Sequence, residues 1–282
     1  MRELLYCTDG SSYAAQARSY ASWAAGRASA RIHALYVSDL RRFEMPAVMD
    51  LSGSIGVQPY QNLIRTLQES EKEKARLIEE SDRQALSEDG REESYEFETR
   101  TGFLVDTIVE AAGPRDLVVL GKRGESAEHA IEHLGSTLER VIRSVDKPCL
   151  VTNRKFSAPG NLAVAYDGSA TGEKLLAWLE EATWLHDLPL HLLLVSEERD
   201  GDERAVERLR SAEERLQAAG FSVRPQMLAG LAEDVIADYV EREAIGLLAI
   251  GAYGHGRLRR FLIGSTTSEL IRRCRIPILC QP

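Results

Sequence analysis

The residues best suited to chemistry lie in the last thirty or so positions, where GAYGHGRLRRFLIGSTTSELIRR begins at Gly251. Gly251 and Gly254 leave room for a backbone to approach a ligand closely. Gly264, Ser265 and Thr266 open a short helical pattern, whose first amides have no partner inside the helix and face outward as anion donors. His255 and three arginines lie between, with no acidic residue from Gly251 to Ser265. Backbone amides of Gly254 and Ser265, helped by the Ser265 and Thr266 hydroxyls, would make a phosphate cradle. The pattern is not a P-loop, because Gly-x-x-x-x-Gly-Lys-Ser/Thr is absent, nor is it Gly-x-Gly-x-x-Gly.

A cradle needs a wall opposite. Asp167-Gly168-Ser169 ends the apolar run that starts at Leu162. There a carboxylate can accept hydrogen bonds from a sugar or hold a phosphate-bound metal. It can equally cap the next helix or brace the Asp-Gly-Ser turn. Both features occur twice in the same order: Asp9-Gly10-Ser11 follows the run from Leu4, and GKRGESAEHAIEHLGS runs from Gly121 to Ser136. The chain is therefore read as two tandem units, 1–154 and 159–282, with a boundary at the Pro159-Gly160 turn. Asp9 and Gly121 are 112 positions apart, Asp167 and Gly251 only 84. The difference places an insertion at about Leu40–Tyr60, read as a passive loop ahead of a longer helix.

The elements that hold these motifs alternate. Strands are expected at Leu4–Cys7, Ile32–Val37, Tyr95–Thr99, Leu117–Leu120 and Cys149–Thr152. The second unit repeats them at Leu162–Tyr166, His191–Val195, Phe221–Met227, Ile245–Ile250 and Ile278–Cys280. Helices are expected at Tyr13–Ala25, Asn62–Leu86, Phe103–Ala111 and Ser136–Arg143, then Thr171–Ala182, Glu203–Ala219, Leu231–Arg242 and Thr266–Arg273. Apolar strands alternating with helices give an α/β fold: two tandem open parallel five-stranded sheets flanked by helices. Ligands in such sheets bind beyond the carboxyl ends of the strands, where strand order reverses.

The two loops differ in charge. Arg257, Arg259 and Arg260 make the second +3, whereas Lys122 and Arg123 against Glu125, Glu128 and Glu132 leave the first at −1. The first also has ten residues between Gly124 and Gly135, one more than the second has between Gly254 and Gly264. A triphosphate should prefer the second unit. His129, His133 and Glu125 could share a helical face with enough ligands for zinc, but a solvated acidic turn is the preferred reading.

These motifs, Asp167-Gly168-Ser169 and Gly251-x2-Gly254-x9-Gly264-Ser265 with the terminal IPILCQP, resemble the universal stress protein family in its tandem form. The resemblance covers nearly the whole chain apart from the insertion. It implies a Rossmann-like fold of the adenine-nucleotide alpha-hydrolase type. It implies ATP, with magnesium as a companion, held by Asp167, Gly168, Gly251, Gly254, His255, Gly264, Ser265 and Thr266, with backbone near Val195 against the adenine. The fifth strands, Cys149–Thr152 and Ile278–Cys280, are expected to pair as an internal pseudo-dimer, with a further homodimer open to such chains. A stress-response or regulatory role, acting on a protein partner, is the expected function. A slow magnesium-dependent ATPase and an interaction protein that binds no nucleotide are the alternatives; no residues are assigned to catalysis.

The composition excludes other classes. The net charge of −9 disfavours a general nucleic-acid binder. The apolar runs are too short for a membrane span, and MRELLYCTDGSS is too polar for a signal peptide. Four cysteines without a Cys-x-x-Cys pair read as buried free thiols in a cytoplasmic protein. Trp23 and Trp178, on matching helices, read as packing residues.

Overall fold

The computed structural model describes residues 1–39, 57–124, 136–196, 203–252 and 265–282. The strands are β1 (Glu3–Thr8), β2 (Arg31–Asp39), β3 (Tyr95–Gly102), β4 (Leu117–Gly121) and β5 (Cys149–Thr152) in the first repeat. The second has β6 (Leu162–Ala165), β7 (Leu190–Ser196), β8 (Val223–Ala229), β9 (Leu247–Gly251) and β10 (Ile278–Gln281). Helices α1 (Ser12–Ala28), α2 (Val57–Glu88), α3 (Leu104–Ala112) and α4 (Ser136–Ser144) are followed by α5 (Ala170–Glu181), α6 (Glu203–Ala218), α7 (Ala232–Arg242) and α8 (Ser265–Arg273).

All ten strands form one sheet, in the order β3-β2-β1-β4-β5-β10-β9-β6-β7-β8. Within each repeat every pairing is parallel; β5 and β10 join the repeats antiparallel, with Cys149 opposite Cys280 and Val151 opposite Ile278. The five-stranded halves expected from the sequence are thus fused through their fifth strands. Each half reverses its strand order once, between β1 and β4 and between β6 and β9.

Period-two alternation sends neighbouring strand residues into two separate cores. One core gathers Leu4, Tyr6, Ile32 and Val119 with Leu162, Val164 and Leu192 against α1, α5 and α6. The other gathers Leu5, Leu35 and Val118 with Leu193, Leu248 and Ile250 against α3, α4, α7 and α8. Both cross the seam: Leu150 and Leu279 belong to the first, Cys149, Val151, Ile278 and Cys280 to the second. Burial raises the Cys149 thiol well above its ordinary range and pushes Cys274 up to about 11, so both stay protonated at neutral pH.

Helix starts and close packing follow from local chemistry. Ser11 and Ser169 cap α1 and α5, accepting from the amides of Ala14 and Gly172 at 3.2 and 3.1 Å. Along α1 the buried stripe is mostly alanine, with Ala14, Ala17, Ala21, Ala24 and Ala25, so the helix lies close against the sheet. Trp184, in a 3₁₀ turn after α5, stands edge-on between Trp23 of the first repeat and Trp178 of the second, at 5.5 and 6.3 Å. Both expected tryptophans pack, and Trp184 links them across the seam.

The largest boundary difference from expectation is at the start of the longest helix. Helix α2 starts at Val57, inside the stretch read as insertion, and runs for 32 residues. Pro59 falls in its first turn, where the missing N–H costs no helical bond. The part of the expected insertion from Val57 to Tyr60 is therefore helix; positions 40–56 lie outside the described residues.

The seam also holds a partly buried cation. Lys122, directly after β4, reaches into the second repeat, where Nζ donates to the carbonyls of Arg272 and Cys274 at 3.0 and 3.3 Å. It neutralises the carbonyl end of α8. Desolvation lowers its pKa to about 8. Because the unfolded chain keeps the ordinary lysine value, it binds more protons than the native state from about pH 8 to about pH 10.4. The contribution of Lys122 to stability should therefore rise with pH through that window. Urea titrations of the wild type and Lys122→Met across it should diverge accordingly; parallel curves would mean that the ammonium is not desolvated.

Candidate functional site

Asp167, Val195 and Gly251 stand at the carboxyl ends of β6, β7 and β9, three neighbouring strands spanning the reversal point of the second repeat. The turn after β6 is built by its own side chains. Asp167 Oδ1 accepts from the Ser169 amide at 2.9 Å, and Gly168 takes φ +70°, a left-handed value that suits glycine. The carboxylate is otherwise exposed. Turn bracing is therefore present, and it leaves the second carboxylate oxygen facing solvent chemistry.

Gly251 is required by close approach. A Cβ there would lie 2.9 Å from the Gly172 amide nitrogen, the Thr171 carbonyl carbon and the Thr171 hydroxyl. The end of β9 thus presses on the first turn of α5. Thr266, second residue of α8, donates its hydroxyl to Glu233 Oε2 at 3.3 Å, which ties the starts of α8 and α7 together. That hydroxyl, expected to assist a phosphate, has an acidic partner in this structure. Of Ser265 the backbone begins α8. Gly254, His255 and Gly264 lie outside the described residues, as do Glu125, His129 and His133.

The first repeat shows how such a loop meets such a turn. Gly10 takes φ +78°, and Asp9 Oδ1 accepts from the Ser11 amide at 3.0 Å. A Cβ on Gly124 would stand 2.8 Å from Asp9 Oδ2. The glycine three positions beyond the fourth strand therefore crosses the reversal point and rests on the first-strand carboxylate. Gly254 holds the matching position in the second repeat.

One residue at the site escaped the sequence reading. Leu86 and Leu216, near the ends of α2 and α6, are both fully buried. Eight residues earlier in each helix stand Ile78 and Arg208. Ile78 covers the first turn, its Cδ1 being 2.9 Å from the place of a Gly10 Cβ. Arg208 covers the second, with Nη1 3.2 Å from the place of a Gly168 Cβ and in long contact, 3.5 Å, with the Asp167 carbonyl. Aligning α2 with α6 from their buried ends, rather than from the motifs, would have exposed this exchange. Lys122 departs from expectation too: counted among the first loop's cations, it is committed to the carbonyls of the second repeat.

A model of the universal stress protein family matches the chain twice, over residues 1–153 and 160–282. The chain belongs to the universal stress protein family. Universal stress protein Slr1230 of Synechocystis sp. is 40% identical over 285 residues, covering 99% of each chain. Two solved structures share the fold of this tandem universal stress protein. One, a universal stress protein from Archaeoglobus fulgidus, has a TM-score of 0.68 at 22% identity, covering 99% of this chain and 95% of its own. The other, a putative universal stress protein from Pseudomonas aeruginosa, has a TM-score of 0.61 at 17% identity, covering 99% and 92%. Among the described residues no helix is long and apolar enough to cross a membrane.

Proposed function

We propose that this universal stress protein is a regulatory stress-response protein that binds one adenine nucleotide, ATP with magnesium being the expected form, in its second repeat. The observation that carries this reading is the exchange over the Asp-Gly-Ser turn: an isoleucine covers it in the first repeat and an arginine in the second. A guanidinium at a strand-order reversal favours a phosphorylated ligand, which an apolar cover does not. The residues present fit the ligand. Asp167 offers an exposed carboxylate for a sugar hydroxyl or for the magnesium. The amide end of α8, beginning at Ser265, would receive a phosphate, with Gly251 at the end of β9, Thr266 in the first turn of α8, and Gly254, His255 and Gly264 between them in the sequence. The end of β7, at Val195, supplies backbone for the base, beyond Gly168 and its turn.

The first repeat is the degenerate copy in this reading. Its loop is acidic, Lys122 is turned away, and Ile78 closes the turn. It serves the internal pseudo-dimer rather than a nucleotide. The test is to denature purified protein, separate the released small molecules and quantify adenine nucleotide per chain. About one per chain is expected. Two per chain would refute the degenerate first site. No nucleotide, followed by no response to ATP and magnesium, would refute the reading and leave a protein-interaction role.

A further inference from the structure

The opposite edge of the sheet, at the amino ends of β1, β2 and β3, holds a cluster that the nucleotide site does not use. His33 pairs with Leu5 on one side and Glu96 on the other. Glu3 lies two residues before Leu5, so Glu3, His33 and Glu96 project from one face. One oxygen of each carboxylate and one imidazole nitrogen lie within 4.8 Å of one another.

His33 is 8% exposed. Its Nε2 is 2.7 Å from Glu98 Oε2. The other Glu98 oxygen, Oε1, accepts from Arg100 Nε at 2.6 Å. A carboxylate paired with a guanidinium accepts, so Nε2 donates to it and Nδ1 is the ring atom left to offer a lone pair. That atom is buried without a hydrogen-bond partner, 3.7 Å from Glu96 Oε2. A buried polar atom left in this state is costly unless something fills the place.

The second repeat handles the same position differently. His191 occupies the equivalent place on β7, and its Nδ1 is 2.9 Å from the Tyr239 hydroxyl. The residue of α3 matching Tyr239 is Ala111, which has no polar group to offer. Arg224 pairs with His191 where Glu96 pairs with His33. Asn161 and Gln226 take the places of Glu3 and Glu98. One repeat therefore satisfies its histidine with a hydroxyl. The other leaves the nitrogen open and surrounds it with carboxylates.

We propose that Glu3, His33 and Glu96 bind a zinc ion, with Glu98 orienting the imidazole. A nitrogen and two carboxylate oxygens supply three ligands, and water through the exposed Glu96 side completes a tetrahedron with bonds of about 2.0–2.2 Å. The Glu98–His33 pair is the outer carboxylate that ligating histidines use to fix their tautomer. Arg31 and Arg115 stand 3.9 Å from Glu3 Oε2, too far to occupy that oxygen by hydrogen bonding. Their charge disfavours every divalent cation alike, so the imidazole ligand decides the preference for zinc over magnesium and calcium.

The test is zinc titration of the full-length protein against a chromophoric chelator. One tight zinc per chain is expected. Glu96→Gln, an exposed change that leaves the cores intact, should weaken it by more than ten-fold, and Glu98→Gln by about 10- to 100-fold. A His129→Ala/His133→Ala variant should retain the ion, which separates this site from the histidine pair of the first loop. Asp167→Ala should also retain it, which separates it from metal carried on a nucleotide. No zinc uptake, or equal affinity in wild type and Glu96→Gln, would overturn the proposal and leave His33 with a structural role, held by Glu98.

Discussion

Asp167→Ala should bind ATP about 10- to 100-fold more weakly than the wild type, whereas Asp9→Ala should bind it unchanged. The two aspartates do the same structural work: each accepts one backbone amide two residues on, at 2.9 Å in the second repeat and 3.0 Å in the first. Both substitutions therefore remove a turn hydrogen bond, for about 0.5–1.5 kcal/mol of stability each. What differs is the surroundings, Arg208 on one side and Ile78 on the other. A hydrogen bond to a charged group is worth about 1.5–3 kcal/mol, which converts to the affinity range given above. Calorimetric titration with ATP and magnesium, beside thermal unfolding of both variants, separates the binding loss from the shared stability loss. Equal binding losses in the two variants would place a working site in each repeat. Unchanged binding in Asp167→Ala would remove this carboxylate from the nucleotide site.

The repeats were legible because their signals are local. Apolar runs such as LLYC and LAVA lead into Asp-Gly-Ser, and helices follow, so the succession of strands and helices along the chain and both Asp-containing turns could be written down from the sequence. The parallel pairing then put Asp167, Val195 and Gly251 side by side as expected. What stayed hidden depends on register between distant segments. Glu3, His33 and Glu96 come from three strands, and a shift of one residue in either pairing would send one of them to the other face. Ile78 and Arg208 lie in helices of unequal length, where motif spacing gives no alignment. Lys122 looked like a loop cation because its neighbours are loop residues, but its partners are main-chain carbonyls 150 and 152 positions away, which carry no mark in sequence.

Two glycines beside the site should respond differently to the same added methyl group. In Gly251→Ala the new Cβ meets the Gly172 amide nitrogen and Thr171 carbonyl carbon at 2.9 Å. Both belong to the start of α5 and cannot rotate aside, so β9 or the helix must shift. Overpacking of this kind costs about 1–3 kcal/mol, which lowers Tm by roughly 2–4 °C for each kcal/mol in a chain approaching this size. The matching Gly121→Ala meets its neighbours at 3.1–3.3 Å and should lose less. In Gly172→Ala the nearest atom is instead Asp167 Oδ1, also at 2.9 Å. A carboxylate can swing away, and alanine in a helix is favoured over glycine by up to about 1 kcal/mol. Moving Oδ1 also gives up its hydrogen bond from the Ser169 amide, about 0.5–1.5 kcal/mol, which offsets that gain, so stability should change little in this variant. Nucleotide affinity should still fall, because the displaced carboxylate is the group assigned to the ligand. Measured together, Tm and ATP affinity should drop in Gly251→Ala, while only affinity drops in Gly172→Ala. Retained affinity with retained Tm in Gly172→Ala would mean that the position of the Asp167 carboxylate does not matter to the ligand.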